Sequence, residues 1–258
     1  MSAISRLINF RLARRLLSST YELSKFCNLP FSLSATANKQ VKYLTSREIV
    51  QQPLKRRVVR SLKLRSKLWK PKMQNPPYSH VCQVGDPVLR GRAAPVDPAN
   101  IGTREFQKLL DTLVSIMRRE GAVGLSAPQI GVGFQVIAME YTKAHMSWYP
   151  HEIITQREIE EFPLKIFINP RMKVVDYDKV TFSEGCQSIK GFSAFVPRYH
   201  AVEITGFNRK GQVEQWQAKG FPARIVQHEM DHLKGQLYID IMDSKTFIDD
   251  DWIQWNLE

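Results

Sequence analysis

The C-terminal two thirds of the sequence predict one globular domain that mixes α-helices with β-strands. Two segments, 103–120 and 222–235, have helical periodicity, and several short runs rich in β-branched and aromatic residues lie between them. The chain has 258 residues, of which 43% are hydrophobic, enough for one sizeable core or two small ones. This composition excludes a wholly disordered protein. No run of about 18 or more apolar residues occurs, so we expect no membrane span.

The net charge of +12 is concentrated at the N-terminus. Residues 1–75 hold 17 lysines and arginines against two acids, Glu22 and Glu48, so the remainder has a net charge of −3. Basicity is therefore a property of an N-terminal arm and not of the domain. The three cysteines have no close spacing, which favours a reducing compartment over a secreted disulfide scaffold.

Residues 1–40 are predicted to be a mitochondrial transit peptide, because the first 21 residues contain four arginines, several serines and no acid. A disordered basic tail is the alternative. Residues 41–78 continue the basic run, and because like charges repel, we expect a flexible, solvated segment. Contact with RNA or anionic lipid is a weaker interpretation, since few aromatic residues are interleaved with the charges.

The folded domain is predicted to span residues 79–258. Its first helix follows a predicted N-cap at Thr103 and ends at Gly121. The second helix is predicted to start near Pro222 and to end by Gly235. Between them, strands are predicted over 134–141, 164–168, 180–182, 194–196, 201–207 and 212–217, with a hairpin turn at 208–211.

The second predicted helix contains the spacing HExxH. His228 and His232 are four residues apart and share a face, so both imidazoles can bind one metal ion. Glu229, rotated by about 100°, can flank an open coordination position. A chance match on a polar surface is the alternative, but Ile225 shares the histidine face and would shelter it from bulk water. The pattern therefore predicts a metal site.

The residues alone leave the third ligand open. A metzincin protease would have a histidine where this chain has Tyr238. Cys186 offers a soft thiolate that zinc or iron accepts, and the neighbouring Gly185 permits close backbone approach. A lone cysteine is also often a small core residue. Carboxylates downstream are the other candidates: Asp240, Asp243 and Asp249.

Three short motifs resemble the signature motifs of the peptide deformylase family, in the family's order. They are GLSAPQ at 124–129, EGCQS at 184–188 and QHEMDH at 227–232. Residues 85–90 also resemble the segment that opens the family's domain, and the likeness spans roughly residues 80–243. Together with the arm, the sequence is similar to the mitochondrial type of this family in animals.

The resemblance implies an α+β fold in which antiparallel strands wrap the HExxH helix, with one divalent metal ion per chain. Iron(II) is favoured, with zinc or cobalt as alternatives. It also implies that Cys186, His228 and His232 bind the metal and that Glu229 is the acid and base. The implied reaction is removal of the formyl group from the N-terminal formylmethionine of newly made mitochondrial polypeptides.

This reaction places negative charge on the formyl oxygen, which needs hydrogen-bond donors. The side-chain amide of Gln129 and the backbone N–H of Gln187 are the expected donors. We expect Val123 and Gly124 to bind the substrate backbone as a strand edge. Ile225 is expected to line the methionine pocket, with ordinary core packing as the alternative. The predicted substrate-binding set is therefore Val123, Gly124, Gly185 and Ile225.

Three positions depart from the family's usual pattern. Ala122 and Ser126 stand where glycine and alanine are usual, and Gln187 stands where leucine is usual. These departures bear on rate and specificity rather than on the type of reaction.

The expected partners are N-formylmethionyl nascent polypeptides in the mitochondrial matrix, met near the mitochondrial ribosome. The oligomeric state stays open, and a homodimer is one candidate. Two other functions remain as alternatives at this point. One is a zinc endopeptidase of the HExxH type, and the other is a non-catalytic mitochondrial protein that binds RNA or the ribosome through the basic arm.

Overall fold

The computed structural model describes residues 75–257. The predicted transit peptide over 1–40 lies outside these residues, as does all but the last four residues of the basic segment over 41–78. Tyr78 already belongs to the folded body, because its backbone N–H donates to the carbonyl of Ile130 at 2.9 Å.

One antiparallel sheet of six strands forms the framework of the domain. Its strand order is β1-β2-β3-β4-β5, and β6 pairs with β4 near the N-terminal end of β4. The strands are β1 Gly124–Ser126, β2 Val136–Tyr141, β3 Phe162–Cys186, β4 Ile189–Phe207, β5 Val213–Lys219 and β6 Ile248–Asp249. The α+β class expected from the resemblance is confirmed.

Strands β3 and β4 are far longer than the sequence predicts. The prediction of separate short strands at 164–168, 180–182, 194–196 and 201–207 is wrong, because they merge into strands of 25 and 19 residues. The residues between the apolar runs are largely polar and partly exposed, which hides them from a hydrophobicity pattern. Backbone pairing does not require apolar side chains, and register shifts along the pair let it bend. The turn at 208–211 is confirmed, with Asn208 N–H bonded to Gln212 O at 2.8 Å.

The first long helix, α1, spans Arg104–Arg119 and confirms the prediction. Thr103 is its N-cap, with its hydroxyl accepting from the Phe106 N–H at 3.4 Å. Gly121 follows the helix with φ +66°, the left-handed conformation that glycine adopts readily. Two short helices, α2 Lys143–Met146 and α3 His151–Gln156, are too brief to leave a periodic signal in the sequence.

The second long helix, α4, spans Gly220–Leu233 and begins two residues before the predicted start. Gly220 has φ +59°, and a Cβ there would lie 2.5 Å from the Glu158 side chain, so glycine is required at this tight entry. Helix α4 packs against strands β1, β2, β4 and β5. The sheet thus surrounds the helix that carries the HExxH sequence.

Two large apolar clusters lie on the two sides of the central strands. One joins α1 to β1 and β2, and the other joins β2, β3 and β4 to α4. A smaller cluster around Leu237 and Tyr238 holds the chain after α4 against β4. Between residues 75 and 257, the structure contains no helix with the length and apolar character needed to cross a membrane.

Candidate active site

Helix α4 places two imidazoles side by side. His228 and His232 lie one turn apart, and their Nε2 atoms are 3.2 Å from each other. The Nδ1 atom of His228 donates to a carboxylate oxygen of Glu184 at 2.6 Å, which orients the ring so that Nε2 faces the second imidazole. Both donor atoms therefore point at one place.

Cys186 completes the set from the end of β3. Its Sγ lies 3.4 Å from His232 Nε2, and the three donor atoms all lie within 4.8 Å of one another. A tetrahedral ion with ligands at about 2.0–2.3 Å would separate these atoms by roughly 3.3–3.6 Å. The two distances from His232 Nε2, 3.2 Å to His228 Nε2 and 3.4 Å to Cys186 Sγ, lie close to this range, so the donor set fits a divalent transition metal.

Tyr238, which stands where a metzincin would have its third histidine, and the downstream carboxylates are not among these donors. The Tyr238 hydroxyl donates to the backbone oxygen of Phe192 at 3.0 Å, and this residue is buried in the small cluster. Asp240 pairs with Arg90 at the surface, and Asp243 caps a short 3₁₀ helix. Within residues 75–257, the three-residue group with metal-binding spacing is Cys186, His228 and His232.

Glu229 is buried beside this group. Its side chain lies against Gly124, where a Cβ would be 2.5 Å from Glu229 Oε1, so any side chain at position 124 would displace the carboxylate. Its Oε2 atom has no hydrogen-bond partner among the described residues. Burial raises the pKa of the carboxyl to about 7, which suits proton transfer near neutral pH.

Gln129 reaches the same centre from the loop after β1. The residue is 1% exposed, and its Nε2 lies 3.6 Å from Cys186 Sγ and 3.2 Å from Ser188 Oγ. Its Oε1 accepts from the backbone N–H and the hydroxyl of Ser126. The unusual serine at position 126 is thus hydrogen-bonded to a residue of the centre.

Gln187 turns its side chain away from the sulfur of Cys186. Its amide donates to the backbone oxygen of Glu120, at the end of α1, at 3.2 Å. Its own carbonyl accepts from Gln83 Nε2 at 2.9 Å, so the turn after Cys186 is held from two sides. The backbone N–H of Gln187 has no hydrogen-bond partner among the described residues, and it can serve an incoming oxygen.

The four residues predicted to bind substrate flank the centre in the sequence. Val123 and Gly124 belong to the β1 region, and β1 is an edge strand of the sheet. Gly185 precedes Cys186 and is exposed. Ile225 is 5% exposed and packs in the same apolar cluster as Val123.

A buried charge network behind the histidines is the part that the sequence did not reveal. Arg198 donates to both oxygens of Glu184, at 2.6 and 3.1 Å, and also to Asp231. Arg224 donates to Glu184 Oε2 at 3.0 Å. Glu184 could have been found, since alternate residues of a strand share a face and Cys186 lies two positions later. Arg198 has no local signal.

This network sets the protonation of the centre. Burial favours the neutral form of Glu184, but the hydrogen bond from His228 and the charge of Arg198 outweigh it and lower the pKa of the carboxyl. Burial likewise opposes charge on His228, yet Cys186 and Glu184 raise its pKa well above 6.5. Burial and His228 lower the pKa of His232 well below its usual value. Because a metal ion binds the deprotonated forms of a thiol and of an imidazole, metal binding at this centre would release protons.

Comparison with known proteins identifies the family. The family model described as polypeptide deformylase matches residues 78–247. The human protein named peptide deformylase, mitochondrial, is 54% identical over 181 residues, which cover 70% of this chain and 74% of the human one. This chain belongs to the peptide deformylase family.

Other members agree with this assignment. An Arabidopsis thaliana protein named peptide deformylase 1A, chloroplastic/mitochondrial, is 45% identical, and the match spans 63% of this chain and 61% of that protein. A peptide deformylase from Synechococcus elongatus, crystallised with actinonin, has a TM-score of 0.54 at 30% identity, covering 69% of this chain and 85% of that one.

Family membership establishes the type of reaction. Peptide deformylases are metal-dependent hydrolases that remove the formyl group from the N-terminal methionine of new polypeptides, and this chain is a hydrolase of that kind, acting on formylmethionyl peptides. The endopeptidase and the non-catalytic binding protein considered for the sequence are therefore not supported.

Proposed function

We propose that this chain deformylates N-formylmethionyl polypeptides in the mitochondrial matrix with Cys186, His228 and His232 as the ligands of one metal ion. The single observation that carries this proposal is the convergence of one thiol and two imidazoles beside a buried carboxylate. One sulfur and two nitrogen donors suit iron(II), zinc and cobalt alike, and the resemblance to the family favours iron(II) among them.

A bound divalent ion supplies a Lewis acid that can lower the pKa of water from about 15.7 to about 7. Glu229 does the proton transfer. Its Oε2 accepts a proton from the attacking water and later delivers it to the nitrogen of the departing amine. Burial supports this role, because a carboxyl with a pKa of about 7 both accepts and returns a proton readily at neutral pH.

Gln129 and Gln187 stabilise the negative charge that develops on the formyl oxygen. The Nε2 of Gln129 and the backbone N–H of Gln187 are the two donors, and each oxyanion donor typically contributes about 3 kcal/mol. The hydrogen bonds of Gln187 to Glu120 and Gln83 support this role, because they fix the turn that presents the N–H.

The substrate backbone lies along the open edge of β1 at Val123 and Gly124, near Gly185, with the methionine side chain against Ile225. An edge strand can pair with an added peptide strand. A peptide deformylase from Acinetobacter baumannii with Met-Ala-Ser bound has a TM-score of 0.56 to this chain at 26% identity, covering 63% of this chain and 96% of that one. That complex supports a tripeptide beginning with methionine as the test substrate.

The choice of acyl group tests the proposal most directly. We expect the metal-loaded enzyme to hydrolyse formyl-Met-Ala-Ser and to act little on acetyl-Met-Ala-Ser. The formyl group is the smallest acyl group, and a site formed by Gln129, the metal and the N–H of Gln187 leaves little room for an added methyl group. Formate and new amines are measured side by side, with iron(II) loading done without oxygen and zinc loading in parallel. Faster cleavage of an internal peptide bond in an unformylated peptide would overturn the proposal.

The ligand set has its own test. The Cys186→Ala variant should lose its metal, because a three-ligand site rarely retains an ion after losing one donor. Metal per chain is measured beside the matched variant Cys82→Ala, since Cys82 is a buried free cysteine that is not part of the donor group. Full metal content in Cys186→Ala would remove the cysteine from the ligand set.

The N-terminal arm gives the proposed address. Residues 1–40 act as the transit peptide, residues 41–78 form a basic segment and residues 79–258 form the catalytic domain. The human relative named as mitochondrial supports this location. Residues 1–60 fused to a fluorescent reporter should carry it into the matrix, and a chain that begins at residue 70 should retain full activity. A cytosolic reporter, or a folded but inactive truncation, would contradict this part.

A further inference from the structure

The side-chain amide of Gln129 is held at its oxygen end by Ser126. The backbone N–H of Ser126 lies 2.9 Å from Gln129 Oε1, and the Ser126 hydroxyl lies 3.1 Å from the same oxygen. Because an amide oxygen only accepts hydrogen bonds, the hydroxyl must be the donor. Ser126 therefore donates twice to one atom.

Ser188 holds the nitrogen end of the same amide. Its hydroxyl oxygen lies 3.2 Å from Gln129 Nε2, and its own carbonyl accepts from the Val84 N–H at 2.8 Å. Ser126 and Ser188 are both 0% exposed, so no bulk water competes for these bonds. The nitrogen carries two protons, and the second direction leads toward Cys186 Sγ at 3.6 Å.

We propose that Ser126 and Ser188 are positioning residues that fix the orientation of the Gln129 amide and direct its second N–H into the centre beside Cys186, where the formyl oxygen would bind. This inference rests on the donor role of Gln129 in the proposed function. An amide rotated by about 180° would set its NH₂ group against the Ser126 N–H, two donors facing each other. It would also set its oxygen toward the sulfur, where it could not stabilise negative charge.

Ser126 acts through the transition state rather than through substrate binding. A donor that already points the right way needs no reorganisation when charge develops on the formyl oxygen, so orientation affects kcat more than KM. Ser126 lies on β1, with its hydroxyl directed at Gln129, and it is not among the metal donor group. Its removal should therefore leave the metal in place.

The test begins with Ser126→Ala in the full, metal-loaded chain. Loss of one neutral hydrogen bond should lower kcat about 3- to 10-fold. We expect KM, metal per chain and thermal midpoint to change little. Ser115→Ala, at an exposed serine of α1, is the matched control and should retain the parent kcat. Ser188→Ala should lower kcat in the same direction, with metal content measured because Ser188 lies near Cys186.

A double-mutant cycle with Gln129→Ala separates the positioning role of Ser126 from the donor role of Gln129. If Ser126 acts through Gln129, adding Ser126→Ala to Gln129→Ala should cause no further fall in kcat. An equal fall in both backgrounds, a rise in KM alone, or loss of metal from Ser126→Ala would overturn the inference. If Ser126→Ala keeps the parent kcat while Gln129→Ala is slow, the positioning role of Ser126 is overturned but the donor role of Gln129 stands. Parent kcat in Gln129→Ala would overturn the donor role itself, and the inference with it.

Discussion

The two long helices of the domain bury different kinds of side chain. Helix α1 has six buried residues in 16, and all six are apolar. Helix α4 has eleven buried residues in 14, and five of them are polar or charged. Those five are Arg224, Gln227, Glu229, Asp231 and His232.

We therefore expect α1 to contribute mainly to stability and α4 to carry side chains of the candidate active site. Buried apolar residues stabilise a fold by leaving water, whereas a buried charge is unfavourable unless a partner compensates it. Most of the charges on α4 have such partners. Arg224 pairs with Glu184 of β3, and Asp231 pairs with Arg198 of β4, which also pairs with Glu184. Glu229 Oε2 lacks one among the described residues. Substitutions in the two helices should therefore affect different properties.

The largest expected effect is on turnover, from Glu229→Gln. The amide cannot accept and return the proton, so kcat for formyl-Met-Ala-Ser should fall about 10²- to 10⁴-fold. Metal per chain should stay unchanged, and the free energy of unfolding should be equal or higher, because the amide carries no charge to desolvate. Turnover, metal content and denaturant unfolding are measured together. Near-parent kcat would remove the proton-transfer role from Glu229.

The next effect is on stability, from Arg198→Leu. This change removes the Arg198 guanidinium from the buried carboxylates of Glu184 and Asp231, so among the described residues Glu184 keeps only Arg224 as a guanidinium partner. Breaking such a buried pair typically destabilises by about 3–5 kcal/mol. Urea unfolding measures the loss. The surface variant Arg118→Ala breaks the exposed pair with Glu140 and should lose at most about 1 kcal/mol. Equal losses in the two variants would show that burial of the network contributes nothing.

In α1, Leu113→Ala should destabilise without altering the chemistry. Leu113 is 0% exposed, and truncating such a leucine typically lowers the free energy of unfolding by about 2–5 kcal/mol. The kcat per folded molecule should equal that of the parent at temperatures well below the unfolding midpoint. A fall in kcat at full folding would show that the apolar helix also positions the active site.

The smallest effect is expected at the entry to α4, where His200 contacts two acids. Its Nε2 lies 2.7 Å from Glu158 and its Nδ1 lies 2.9 Å from Asp176, and these hydrogen bonds raise the pKa of His200 above 6.5. The resulting stability is fully present below pH 6.5 and is lost as the pH rises through the higher folded pKa.

Thermal midpoints of the parent and of His200→Gln, recorded from about pH 5 to pH 9, test this effect. The difference between the two proteins should shrink as the pH rises. A constant difference would mean that His200 contributes through packing and not through its charge.

The sequence predicted the apolar elements of this protein well. Helix α1 and its N-cap Thr103 were readable because an apolar stripe, a capping hydroxyl and a terminal glycine are local features. The histidine pair was readable for the same reason, since residues four apart on a helix share a face. Strands β3 and β4 were misread as short pieces, because pairing between backbones leaves no trace in a polar stretch.

By itself, the sequence determined which side chains are candidates for the chemistry: a thiol, two imidazoles and a carboxylate, in motifs that resemble one family. Only the tertiary structure decided how they act together. Cys186 and His232 come from different elements, and Arg198 meets Glu184 across the β3–β4 pair and Asp231 on α4. The physical reason is that burial and charge partnership depend on contacts between distant segments, and these contacts set the pKa of Glu229 and the orientation of His228.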